Sequence, residues 1–177
     1  MDDHLKNILK DFAKQHHLDW RIIYAILMNE SNAQGFDSNG KLKERFEKHI
    51  FNGFKQVHQG YRKKNPHLPG LDTEWIKNHS LQQIEYLSTS YGIAQIMGWH
   101  YPMLGYLSIE NMIQTWRDLE ENQIRDFCLF CVKYNNGKFL KALKDLNIQS
   151  ISMQYNGTGF ARNNYDNKLL KHYREAK

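Results

Sequence analysis

The chain has 177 residues, 41% of them hydrophobic and 13% aromatic, which is enough to bury a core and too apolar for a disordered tail. Lys and Arg number 24 against 19 Asp and Glu, a formal charge of +5 that favours an anionic partner: nucleic acid, an acidic membrane surface or an anionic wall polymer. The longest apolar run, Ile22–Met28, is far too short to span a bilayer.

The first residues, MDDHLKNILKDF, begin with acids and hold no continuous apolar stretch, so they do not read as a secretory signal. A protein made in the cytoplasm is expected, with any action outside it reached by a separate route. Leu5, Ile8, Leu9, Phe12 and Ala13 then place one apolar stripe on a helix over Asp3–Leu18. Asp19 is placed to cap a second helix, Trp20–Asn29, which is apolar on nearly all sides and therefore central. Glu30 follows it, at the edge of a polar, glycine-containing loop or small strand region over 31–43.

Phe46, Ile50, Phe51 and Phe54 resume a helical period, and Gly60–Gly70 reads as a long basic loop holding two of the three prolines. Asp72 begins a helical stretch to about Leu87, and STSYGIAQIMG reads as a short helix closed by Gly98. Ser108–Tyr134 reads as one long or two consecutive helices, with Leu119 among its inward residues. Asn135-Asn136-Gly137 breaks the pattern before helices over Phe139–Leu146, Ile151–Tyr155 and Tyr165–Tyr173. No repeat, low-complexity segment or linker divides the chain, so one mainly helical domain over 1–177 is expected.

The nine histidines form no H-x-x-x-H or H-E-x-x-H spacing, so neither a metal nor another cofactor is expected. Cys128 and Cys131 lie three apart in a helical run, without a second pair or a βαβ context, and read as two small buried residues rather than a redox couple. Tyr61-Arg62-Lys63-Lys64 mixes an aromatic with cations, but no nucleic-acid-binding signature accompanies it, so it reads as a solvated loop and no nucleic-acid partner is expected.

The carboxylates carry more. Cleaving a glycosidic bond takes a carboxylic acid that still holds its proton, commonly with a second carboxylate beside it. Glu30, after Ile22, Ile23, Ala25, Ile26 and Leu27, has the partly apolar setting such an acid needs. Ser90-Tyr91-Gly92-Ile93-Ala94-Gln95 sets one amide among small and apolar neighbours, and Gln154-Tyr155-Asn156-Gly157 adds a second polar and aromatic cluster. Flat rings and amides around an acid suit a sugar-binding groove.

The ordered blocks E-S-N…G-F (30–36), F-E-x-H-I-F (46–51), S-x-G-x-x-Q-I-M-G (90–98) and Y-N-G…N-x-Y-D-x-K-L (155–169) resemble the phage-type N-acetylmuramidase domain, related to the goose-lysozyme and lytic transglycosylase group. The resemblance implies a mainly α, α+β lysozyme-like fold with a small β element and a glycan groove. It also implies cleavage of the β-1,4 bond between N-acetylmuramic acid and N-acetylglucosamine in peptidoglycan. It carries the catalytic acid onto Glu30, a second acid onto Glu47, and groove positions onto Ser90, Tyr91, Gln95, Tyr155 and Asn156. Glu47 also has a plain reading, a surface glutamate paired with Arg45 or Lys48. The implied protein is a monomer acting on glycan strands, its positive charge giving weak association with an anionic wall or membrane surface. The rival readings are a lytic transglycosylase, in which the substrate's own 6-hydroxyl attacks, and a wall-binding module without chemistry.

Overall fold

In the computed structural model, which describes residues 1–66, 68 and 70–176, fourteen α and β elements surround one apolar cluster. His67 and Pro69 of the expected basic loop, and Lys177, lie outside the described residues.

Helix α1 (Asp3–His16) starts where the Asp2 carboxylate accepts the Leu5 amide, buries Leu5, Leu9 and Ala13, and ends at His17 in the left-handed region. Helix α2 (Trp20–Ser31) is capped by Asp19 and buries Ile22, Ile23, Ala25, Ile26 and Leu27. It runs two residues further than its apolar pattern suggests, to Ser31, and Asn32 caps it at φ +58°, so Glu30 sits inside its last turn.

Strand β1 (Glu44–Phe46) leads into α3 (Lys48–His58); α4 (Thr73–Lys77) and α5 (Leu81–Leu87) follow. The helix expected to run unbroken from Asp72 to Leu87 is therefore two, because Ser80 and Gln83 form a reciprocal capping box that starts a new one. Phe46, expected on the buried face of a helix, stands on β1 and is 46% exposed.

Strands β2 (Thr89–Tyr91) and β3 (Ile96–Met97) replace the helix expected over Ser88–Gly98. Gly92 at φ +70° and Gln95 at φ +49° are incompatible with a right-handed helix and turn the chain back on itself. The sheet order is β1-β2-β3, antiparallel throughout, with Arg45 opposite Ser90 and Tyr91 opposite Ile96.

The remaining elements are α6 (Tyr101–Leu104), α7 (Ile109–Asp118), α8 (Glu120–Lys133), α9 (Lys138–Lys144), α10 (Ile148–Asn156) and α11 (Tyr165–Glu175). An extended Leu119 (φ −149°, ψ 135°) separates α7 from α8, and its side chain is exposed rather than inward. Among the described residues no helix is long and apolar enough to cross a membrane. The architecture is mainly α with a three-stranded sheet, a lysozyme-like arrangement. For the site, three packings matter: α11 lies along α2, α10 lies against α11, and β1 pairs with β2.

Candidate functional site

The side chain of Glu30 is held on the inner side of the last turn of α2, where α11 crosses. The Tyr165 hydroxyl, at the start of α11, donates to Glu30 Oε1 at 2.6 Å, and the Asn29 amide donates to the Tyr165 carbonyl at 3.2 Å. Burial lifts the Glu30 carboxyl from 4.5 to about 7; the Tyr165 hydrogen bond and the Arg45 charge pull it partly back. A carboxyl with that affinity is largely protonated just below neutral pH. Burial, reinforced by the Glu30 charge, pushes the Tyr165 phenol well above its ordinary value, so it remains a donor.

Glu30 opens onto a cavity of about 600 Å³ whose other wall is the extended segment leading into β1, with Lys41, Lys43 and Arg45 on its rim. Gln95 lines this cavity and also a second one of about 290 Å³, walled by Trp99, His100, Tyr134, Tyr155 and Asn156. Gln95 therefore stands where a polar, charged cavity meets an aromatic-walled one. Burial in that aromatic wall lowers His100 to about 4, so its imidazole is neutral.

The structure brings Glu30, Gln95, Tyr155 and Asn156 to these two cavities and places the other expected residues behind or beside them. Ser90 is buried, and its hydroxyl donates to Gln95 Oε1 at 2.9 Å while Gln95 Nε2 donates to the Gly92 carbonyl at 2.9 Å. Tyr91 is 1% exposed and donates its hydroxyl to the Tyr86 carbonyl, so it packs in the core rather than on either wall. Tyr155 donates to the Ala94 carbonyl at 2.6 Å and turns its ring against Phe127, Phe130 and Phe139.

Glu47 lies at the start of α3 and lines neither cavity. Its carboxylate takes the Arg45 Nε at 2.7 Å and lies 3.6 Å from His49 Nδ1. Arg45 is thus the link between the two glutamates: it holds Glu47, and its charge acts on Glu30.

Several residues of the cavity were not singled out by the sequence. Tyr165, which bonds Glu30 from behind the cavity lining, was legible only as the start of a helix. No sequence signal separated Lys41, Lys43 and Arg45, since Leu42 and Glu44 between them line the same cavity. Asp37 and Glu44 also line the cavity; Asp37 accepts the Asn39 and Lys41 amides within its own turn, and Glu44 pairs with Arg117 at 3.1 Å.

Helix α8 clamps the two loops that carry the site. Gln123, fully buried, accepts the Ile93 amide at 2.8 Å and donates to the Trp116 carbonyl, while Glu120 accepts the Gly35 amide. A Cβ on Gly35 or Gly92 would fall 2.1 or 2.5 Å from Gln123 Oε1, so both positions need glycine for close approach. Cys128 and Cys131 on the same helix are free, buried thiols, and burial pushes Cys128 up to about 12. Among the described residues no three His, Cys, Asp or Glu side chains converge to hold a metal.

The profile of a family described as N-acetylmuramidase matches residues 77–177, more than half of the chain. Among solved structures, the crystal structure of a Burkholderia AP3 phage endolysin superposes with a TM-score of 0.70 at 24% sequence identity, over 96% of this chain and 70% of that one. No match is found among curated proteins. The superposition speaks for the fold. The profile match takes in Gln95, Tyr155, Asn156 and Tyr165 but stops short of Glu30 and Glu47.

Proposed function

Because the chain belongs to the N-acetylmuramidase family, whose substrate is peptidoglycan, we propose that it hydrolyses the β-1,4 bond between N-acetylmuramic acid and N-acetylglucosamine. The observation that carries this is Glu30: a buried carboxyl, raised to about 7, facing a cavity large enough for a sugar.

Glu30 is the general acid. As the C1–O bond of the scissile linkage breaks, the leaving oxygen takes the Glu30 proton, and positive charge develops on the sugar ring. Once ionised, the Glu30 carboxylate keeps the Tyr165 hydrogen bond, and the Arg45 charge lies near enough to act on it. A water then adds to C1 and gives up a proton, for which Glu47 is the candidate acceptor or electrostatic partner. Gln95, Tyr155 and Asn156 face the sugars; Ser90 fixes the Gln95 amide, and Tyr91 braces β2 beneath it. The enzyme acts as a monomer on the cell wall, reached from the cytoplasm by a separate route, and its net positive charge adds a weak affinity for anionic wall or membrane surface. Wall binding that does not weaken with added salt would remove that last element.

Mass spectrometry of the products tests the reaction. Reducing N-acetylmuramic acid ends are expected from wild type, and Glu30→Gln should release them about 10²–10⁴-fold more slowly while still binding walls. One observation favours a second reading, transglycosylation by the substrate's own 6-hydroxyl: Glu47 is tied to Arg45 and is not on the cavity wall. Products ending in 1,6-anhydromuramic acid would establish it in place of hydrolysis.

A further inference from the structure

We propose that Lys41 and Lys43 form a carboxylate-reading edge beside Glu30, which binds the acidic substituent of the muramic acid ring and makes the enzyme prefer acid-substituted glycan over neutral glycan. The inference rests on the peptidoglycan-hydrolase reading above and adds to it which feature of the substrate this wall recognises.

The segment is held rigidly in an extended form. The Lys41 carbonyl accepts the Asp37 amide, the Lys43 amide donates to the Gly35 carbonyl, and the Lys43 carbonyl accepts the Gly92 amide, each at 2.8 Å. Lys41, Lys43 and Arg45, with Leu42 and Glu44 between them, line one cavity, the one that Glu30 faces. The Lys43 ammonium donates to the Ser31 carbonyl at 2.8 Å, the last residue of α2. A carbonyl orients the ammonium without cancelling its charge, as a carboxylate would.

Two of the acids nearby are already engaged. Glu47 holds Arg45 and Glu44 holds Arg117, whereas Asp37, which accepts two amides of its own turn, keeps its charge and faces both lysines. Lys41 is exposed and forms no ion pair among the described residues. Glu30, protonated below about pH 7, adds no negative charge to the cavity there. Among the described residues two lysines thus face one unpaired carboxylate, Asp37, and the rim keeps a net positive edge for an incoming anion. On a glycan strand the group next to the scissile bond that supplies one is the muramyl substituent: its lactyl carboxylate on bare strands, or the carboxylates of an attached peptide.

Reducing-end release is measured on native glycan strands, on the same strands with carboxylates converted to methylamides by carbodiimide and methylamine, and on neutral chitin oligosaccharides. Wild type should show a KM about fivefold higher on amidated than on native strands, the scale of one or two partly exposed ion pairs. Lys41→Gln should raise KM on native strands about threefold. Lys41→Gln/Lys43→Gln should treat native and amidated strands alike, and Lys43→Arg, which keeps charge and donor, should restore the preference. Equal KM on native and amidated strands for wild type, or a double variant that discriminates as wild type does, overturns the proposal. Should the double variant prove unfolded by its thermal transition, Lys41→Gln decides alone, since that side chain is exposed. Wild type that releases no reducing ends from any of the three substrates would instead overturn the hydrolase reading.

Discussion

On the helical side of the cleft, α2, α10 and α11 bring half-buried Glu30 and Tyr155 together with buried Tyr165, whereas on the strand side residues 41–47 carry Lys41, Lys43, Arg45 and Glu47 at or near the surface. Two glutamates separate the settings. Glu30 is covered by a helix and shifted to about 7; Glu47, with 22% of its side chain exposed, faces a guanidinium that is itself 65% exposed. Where water is excluded, a single hydroxyl or charge changes proton affinity strongly; where solvent reaches, an ion pair contributes about 1 kcal/mol or less. The dry wall is suited to handling a proton and the wet wall to meeting a charged substrate, and variants on the two should differ in kind.

The largest effect belongs to the dry wall. Glu30→Gln should lower wall lysis by about 10²–10⁴-fold, the range of general acid catalysis, read as reducing ends released. Wild-type activity should fall as pH rises through about 7, where Glu30 loses its proton. The same shift has a stability consequence. A folded value of about 7 above the ordinary 4.5 means stabilisation fully present below pH 4.5 and lost as pH rises through 7. Glu30→Gln should therefore melt higher than wild type at pH 8, by at most about 3 kcal/mol, and show no such gain at pH 4.

Glu47→Gln sharpens the comparison from the other side. If Glu47 receives the proton of the attacking water, lysis drops about a hundredfold while stability changes by less than about 1 kcal/mol. Full activity in this variant would remove Glu47 from the chemistry, as expected if the substrate's own 6-hydroxyl adds to C1 in place of water and gives its proton to the Glu30 carboxylate. At the junction of the two walls, Gly35→Ala should cost about 2–4 kcal/mol by forcing Gln123 off the Ile93 amide, measured by denaturant unfolding. Tyr165→Phe removes a donor that favours the ionised Glu30, so the alkaline limb of the pH profile should move up by about one unit. An unchanged limb would show that Tyr165 merely packs. The smallest change is expected for Arg117→Ala on the wet side: loss of the exposed pair with Glu44 should cost below about 1 kcal/mol.

Much of the helical frame is local chemistry and was legible in the chain. The stripes of α1, the all-round apolar character of α2, and the Asp19 cap are written within a few residues of where they act. The glutamate at the end of α2 was legible for the same reason, because an apolar run that stops at an acid marks a buried helix meeting a surface.

The hairpin β2–β3 was not legible: its residues suit a short helix until Gln123, from a distant helix, takes the Ile93 amide and the sheet takes the rest. Leu119 and Phe46 misled in the same way, since apolar identity says nothing of which side of a break a residue falls on. The site divides along that line. Sequence alone determined which side chains are present and where the long helices run, because periodicity and capping operate over one or two turns. Only the tertiary structure decided that Glu30 holds its proton near pH 7, that Arg45 stands between two acids, and that Lys41 and Lys43 face the cavity. Proton affinity and charge recognition depend on what covers a group and what lies within a few ångströms of it, and here those neighbours come from as far as 135 residues away.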